Sequence, residues 1–197
     1  MLFALSWAAG PEPLGAVIGH ERVLLGFPTA AGTMDGGVVR YRPPNLMTRR
    51  VPMPAGEPDG RATPRLERIV RAFRTAGINA KAEPQMDAWL KTHAAFAVPL
   101  GQAVLAAGGP RALADDPDAV RGMIRLMRQN LAAMPTRPVP RGFVALQTLP
   151  EGLLVSMLRR FLRSPTAAYS GLSSASPAAT AELERLAEQM RAYPTVR

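Results

Sequence analysis

The chain has 197 residues, 47% hydrophobic and 20% charged, with 20 Pro, 17 Gly and no Cys. A chain of this size buries about 70% of its unfolded surface, so it can build a core without staples. The missing cysteines exclude a disulfide scaffold, a thiolate metal site and a cysteine nucleophile, and two histidines exclude a multi-histidine metal site. A net charge of +9, from 22 Arg and 2 Lys against 15 acids, raises the question of an anionic partner.

Residues 1–60 read as extended and turn-rich. Arg22 to Phe27 is an apolar run with a β-branched start, read as a buried strand that Pro28 ends. Asp35-Gly36-Gly37 is a turn signal, and Val38 to Tyr41 is the next short strand, broken by Pro43-Pro44. Gly56-Glu57-Pro58-Asp59-Gly60 is a tight-turn cluster. Thr63-Pro64 then opens a helix, with Thr63 as cap and Pro64 at the first position. Leu66, Ile69, Val70 and Phe73 form its apolar stripe, and Arg65, Arg68, Arg71 and Arg74 are placed mostly on the solvated side. Gly77 marks its end, and Ile78 to Ala82 is a strand returning to the sheet.

From Pro84 onward the strong signals are helical. Gln85 to Ala107 is one long apolar helix, interrupted and kinked at Pro99, which cannot donate to the Ala95 carbonyl. Gly108-Gly109-Pro110 stops it. Asp116-Pro117 starts a helix to Met134, with Val120, Met123, Ile124, Met127 and Leu131 at 3–4 spacing. Pro135 to Pro140 is a linker. Pro150 to Leu162 and Pro177 to Ala192 are further helices, and Ser164 to Ser176 is read as loop. The expected fold is therefore a small α/β piece, residues 1–83, followed by a mainly all-α helical domain, residues 84–197.

The most informative segment is Met86 to His93. Lys91 is one of two lysines and opens the most apolar helix. A half-buried lysine there can polarise a carbonyl or donate a proton. Asp87 stands four residues earlier, so a plain surface ion pair is the competing reading. Trp89 and His93 are also i,i+4 neighbours and read first as packing.

Gly26 to Gly32, Asp35 to Val39, Gly56 to Gly60, and Asp87-Ala-Trp-Leu-Lys-Thr-His93 with Pro99 downstream resemble the 2-dehydropantoate 2-reductase (ketopantoate reductase) family. The order and spacing fit across residues 10–110, and Trp-x-Lys with a following Pro is the most specific part. The resemblance implies an α+β remnant of a Rossmann-type domain before a helical domain like the C-terminal one of 6-phosphogluconate dehydrogenase. It implies an NADP-dependent reduction of a small 2-keto acid to a 2-hydroxy acid, in pantothenate biosynthesis. Lys91 matches the family's catalytic lysine, Ser156 a serine that binds the substrate carboxylate, and Ala31 the backbone contact to NADP. His93 is a substitute polar partner for the substrate. No metal is implied.

The departures from the family pattern are specific. Ala95 and Val98 stand where the family has asparagines, and Trp7 replaces the cofactor-facing asparagine in Ser6 to Gly10. Thr166 to Ala168 holds no acid where a late glutamate belongs. The G-x-G-x-x-G fingerprint is missing, and about a hundred residues of a Rossmann half are expected to be absent ahead of Met1. The strand around Val23 to Leu25 is then expected to present an open apolar edge, covered by a second copy or a partner chain.

The alternative function is a non-catalytic helical dimerisation protein derived from that family. A nucleic-acid partner is disfavoured, because the arginines are spread over several helices with no recognised motif. No apolar stretch reaches the roughly 18 residues of a membrane span, and the start lacks a basic signal-peptide region. The expected location is the cytoplasm.

Overall fold

The computed structural model describes residues 1–29, 31–42, 50–169 and 177–193. Within them the chain is an α+β fold with a four-stranded mixed sheet, a separate hairpin and a larger helical assembly. The strands are β1 (Leu2–Ala4), β2 (Leu24–Gly26), β3 (Ala31–Asp35), β4 (Val38–Arg42), β5 (Met53–Gly56) and β6 (Ala80–Ala82). The helices are α1 (Glu12–Ile18), α2 (Pro64–Thr75), α3 (Met86–Ala107), α4 (Pro110–Asp115) and α5 (Pro117–Ala132). They continue with α6 (Ala145–Thr148), α7 (Glu151–Leu162), α8 (Pro165–Tyr169) and α9 (Pro177–Arg191). Ala30, Pro43-Pro44 and residues 170–176 lie outside the described residues.

The sheet order is β1-β2-β5-β6, parallel between β1 and β2, antiparallel between β2 and β5, and parallel between β5 and β6. This corrects the expectation of an open edge at Val23 to Leu25. β2 has a neighbour on both sides, and Val23, Leu24 and Leu25 are fully buried. The edge on that side is β1, whose residues are half-buried. Ladder pairing and core contact on both faces explain why a three-residue apolar strand is stable here. The hairpin β3–β4 pairs Ala31 with Arg42 through to Asp35 with Val38, around Gly36 and Gly37, both at positive φ. Only glycine takes two such positions without strain.

α2 follows its sequence signals closely. Thr63 Oγ1 accepts from the Leu66 amide, and Ile78 and Gly77 donate back to the Phe73 and Arg74 carbonyls. That is a Schellman ending, with Gly77 at φ 81°. Leu66 and Val70 pack with Leu24, Met53, Ala55 and Ala80 of the sheet. The solvated placement of the arginines needs correction at Arg65, which is half-buried, whereas Arg68, Arg71 and Arg74 are exposed. Arg65 forms a two-pronged pair with buried Glu57 and also donates to the Glu21 and Val23 carbonyls. Arg74 Nε donates to the Ala80 carbonyl at 2.7 Å. Both side chains fasten α2 to the sheet.

The expected interruption of the long helix is also corrected. α3 runs unbroken from Met86 to Ala107 with Pro99 inside it. The Ala95 carbonyl, which Pro99 cannot serve, receives Asn130 Nδ2 from α5 at 3.5 Å. The packing of α3 on α5 thus offers that carbonyl a long, weak substitute contact. Thr92, fully buried on α3, donates to the Ala88 carbonyl at 2.7 Å and accepts from the Val139 amide at 2.9 Å. This ties the 135–140 connection to the helix. α5 opens on Asp116, whose carboxylate accepts from the Asp118 and Ala119 amides. Its Val120, Met123, Ile124 and Met127 form one core with Leu100, Val104, Leu113, Leu154, Val155 and Leu162. Part of the 164–176 segment read as loop is helical, since Pro165–Tyr169 forms α8.

Candidate functional site around Lys91

The N-terminal end of α3 is where the two halves of the fold meet. Met86 and Leu90 pack with Val23 and Leu25 of the sheet, while Ala94 and Val98 pack with Ala8 and Leu186 of α9. Residues on this end of α3 are thus reached by the β1–α1 connection, by β2 and by α9.

Lys91 lies in that junction. Its side chain is 13% exposed, and Nζ stands 2.5 Å from Asp87 Oδ2, a pair one helical turn apart. A Cβ placed on Gly10 would lie 3.8 Å from Lys91 Nζ and 3.8 Å from Asp87 Oδ1. Gly10 has φ 79°, and its carbonyl accepts from Trp7 Nε1. The indole therefore fastens the turn that faces the lysine. The neighbouring Ala8 amide is held by Gln189 Oε1 of α9 at 2.8 Å. Tyr193, just past α9, packs beside Ala95 and Met190. Its buried hydroxyl has no hydrogen-bond partner among the described residues. Burial, with a smaller contribution from the Asp87 carboxylate, raises its phenol above the ordinary tyrosine range.

His93 is held among rings. It stacks on Trp89 at 5.4 Å between centroids and 5° between planes, and meets Phe27 at 4.2 Å. Burial lowers its pKa from 6.5 to about 4, so the ring is neutral at pH 7. As an uncharged ring it can exchange hydrogen bonds with a ligand but brings no charge to one.

The remaining candidates stand elsewhere. Ser156 is exposed on α7, where its hydroxyl donates to the Gly152 carbonyl at 3.1 Å. α7 packs on α4, α5 and α8. Ala31 begins β3, its backbone paired with Arg42 in the hairpin. No hydrogen bond or ion pair among the described residues links Ser156 or Ala31 to Lys91. Gly10, from the Ser6 to Gly10 stretch singled out in the sequence, faces Lys91. Gln189 and Tyr193, which sequence spacing left unassigned, pack on this junction through Ala8 and Ala95.

The β1–α1 connection does not fit the pyrophosphate of a dinucleotide. Such a group wants consecutive free amides at the start of a helix after a glycine-rich turn. The β1–α1 connection enters its helix through Pro11, which has no N–H to offer. α1 has seven residues, and Glu12 in its first turn opposes an anion. No helix among the described residues is long and apolar enough to cross a membrane.

Set beside family models, curated proteins and solved structures, the chain gives no match in any of the three comparisons.

Proposed function

We propose that the chain binds a small 2-keto acid and belongs with the NADP-dependent 2-dehydropantoate 2-reductases, with Lys91 as the cation that meets the ketone oxygen. One observation carries this reading. Lys91, already singled out by the Trp-x-Lys element, lies mostly buried where the sheet, α3 and α9 meet, facing the Gly10 turn. A cation in such a place is shielded from water, and its pull on a carbonyl oxygen is stronger there than at an exposed surface. Asp87, 2.5 Å from Nζ, orients the lysine side chain until the ligand arrives. His93 would flank the ligand as a neutral ring, and Ser156 would serve the carboxylate only if the ligand or another chain bridges α7 and α3. The hydride source lies outside the residues described.

Calorimetric titration of 2-dehydropantoate into the purified chain tests this proposal. Binding should be saturable, and Lys91→Ala should weaken it by about tenfold or more, the worth of one charged hydrogen bond. Equal affinity of the two proteins would sink the reading.

A second reading is a non-catalytic dimerisation protein. The 2.5 Å Lys91–Asp87 pair favours it, because a lysine already satisfied by its own helix needs no ligand. The half-buried β1 edge would then receive a second copy. Sedimentation should show a concentration-dependent dimer under this reading, and a monomer at all concentrations would count against it.

A further inference from the structure

A second anionic ligand site is written into the surface of α7, on a different part of the fold from Lys91. Arg159 Nε and Arg163 Nη2 converge on the same oxygen, the Ala114 carbonyl, at 2.7 and 3.3 Å. Arg160 lies beside them in a groove of about 570 Å³, together with Ser156 and Ser164. Asp115 is the one acid that pairs there, 2.6 Å from Arg163 and largely exposed. Three guanidiniums thus lie along one groove, with Asp115 the one paired carboxylate there among the described residues. The planar guanidinium fork matches a carboxylate or phosphate.

The groove does not stand alone. Ser164 also lines an adjoining depression of about 600 Å³, formed by Gly108, Gly109, Pro110, Ala112 and Leu162, with Arg111 and Pro165 at its border. That surface is mostly apolar. A cationic groove continuous with an apolar one suits a ligand that has a charged head and a hydrocarbon or ring body.

We propose that α7 and the α3–α4 turn form a binding site for a small amphipathic anion, its carboxylate or phosphate held by Arg160 and Arg163 and its apolar body lying over Gly109, Pro110 and Ala112. The site goes beyond the Lys91 reading and shares with it only Ser156, which lines this groove. Arg159 and Arg163 also brace the end of α4, so the informative variants are Arg160→Ala and Arg111→Ala, whose side chains are exposed and make no ion pair among the described residues. Arg125→Ala, an exposed arginine on α5, is the control.

The probes are octanoate, octyl phosphate, octanol and inorganic phosphate, titrated by calorimetry into the full chain. Octanoate or octyl phosphate should bind, with octanol and inorganic phosphate about tenfold weaker or more, because each lacks one half of the match. Arg160→Ala should weaken the anionic amphiphile by a similar factor, Arg111→Ala by less, and Arg125→Ala not at all. Octanol binding as well as octanoate overturns the proposal, as does no binding by any probe. A short oligonucleotide whose binding falls with Arg160→Ala, in the absence of amphiphile binding, replaces it with a nucleic-acid surface. Retention of 2-dehydropantoate binding by Arg160→Ala separates failure here from failure at Lys91.

Discussion

Glu57 and His93 show how single titrating groups tie this fold to pH. Glu57 is buried, and the Arg65 guanidinium hydrogen-bonded to it holds its carboxyl below the usual value of 4.5, with Thr63 adding a further bond. Its stabilising contribution is therefore present above about pH 4.5 and is lost as pH falls through the lowered folded value. Glu57→Gln should cost on the order of 2 kcal/mol at pH 7, less than a fully enclosed pair because Arg65 is 34% exposed. Urea denaturation at pH 7 and pH 3 measures it, and the variant should lose less on acidification than the wild type. For His93 the folded value of about 4 lies below the unfolded 6.5. Unfolding therefore takes up a proton between those pH values, and stability falls on acidification across that window, by at most about 3 kcal/mol. His93→Phe keeps the ring packing and should abolish the slope between pH 6.5 and 4.5, while stability at pH 7 changes by less than about 1.5 kcal/mol. An unchanged slope would mean that the ring is not shielded as described.

At the scale of elements, legibility followed the strength of local chemistry. α2 and α5 were readable because Thr63, Asp116, Pro64, Pro117 and Gly77 sit at the capping positions that end-group hydrogen bonding demands. β1, α1 and β5 were not. α1 carries Pro13 and Gly15 within seven residues, and β5 reads Met53-Pro54-Ala55-Gly56, a composition of turns. Their conformation comes from partners remote in sequence. β5 sits between β2 and β6, and Gly56 lets it pass so near the Glu83 carbonyl that an added Cβ would clash. α3 was legible as one long helix despite Pro99, because its apolar residues run on both sides of the proline. Arg128 joins two elements: Nε donates to the Leu146 carbonyl at 2.8 Å and Nη2 to the Leu149 carbonyl at 2.6 Å, pinning the end of α6 to α5. Arg128→Lys keeps the charge but not the fork, and should lower stability by about 1–2 kcal/mol in thermal or urea melts. No loss would show that the charge alone suffices.

For the whole molecule, the excess of arginine now has a structural meaning. Arg65, Arg74, Arg128, Arg159 and Arg163 all donate to backbone carbonyls across element boundaries. Part of the +9 charge thus fastens the fold, while exposed arginines remain on several helices, among them Arg68 and Arg71 on α2, Arg125 on α5 and Arg160 on α7. Of the candidate site, the Lys91–Asp87 and Trp89–His93 pairs were legible from i,i+4 spacing alone. Gln189 and Tyr193 were not, since only the packing of α9 and the residue beyond it onto the N-terminal segment and α3 brings them there.

The central claim is that Lys91 meets a 2-keto acid, and the composition makes it directly measurable. Lys81 and Lys91 are the two lysines, so a chain labelled at lysine side chains gives two amine signals in nuclear magnetic resonance, assigned by Lys91→Arg. Titration with 2-dehydropantoate should move the Lys91 signal saturably and leave that of Lys81, paired with Glu83 at the sheet's far edge, in place. A Lys91 signal that stays still while the ligand is in excess would contradict the account.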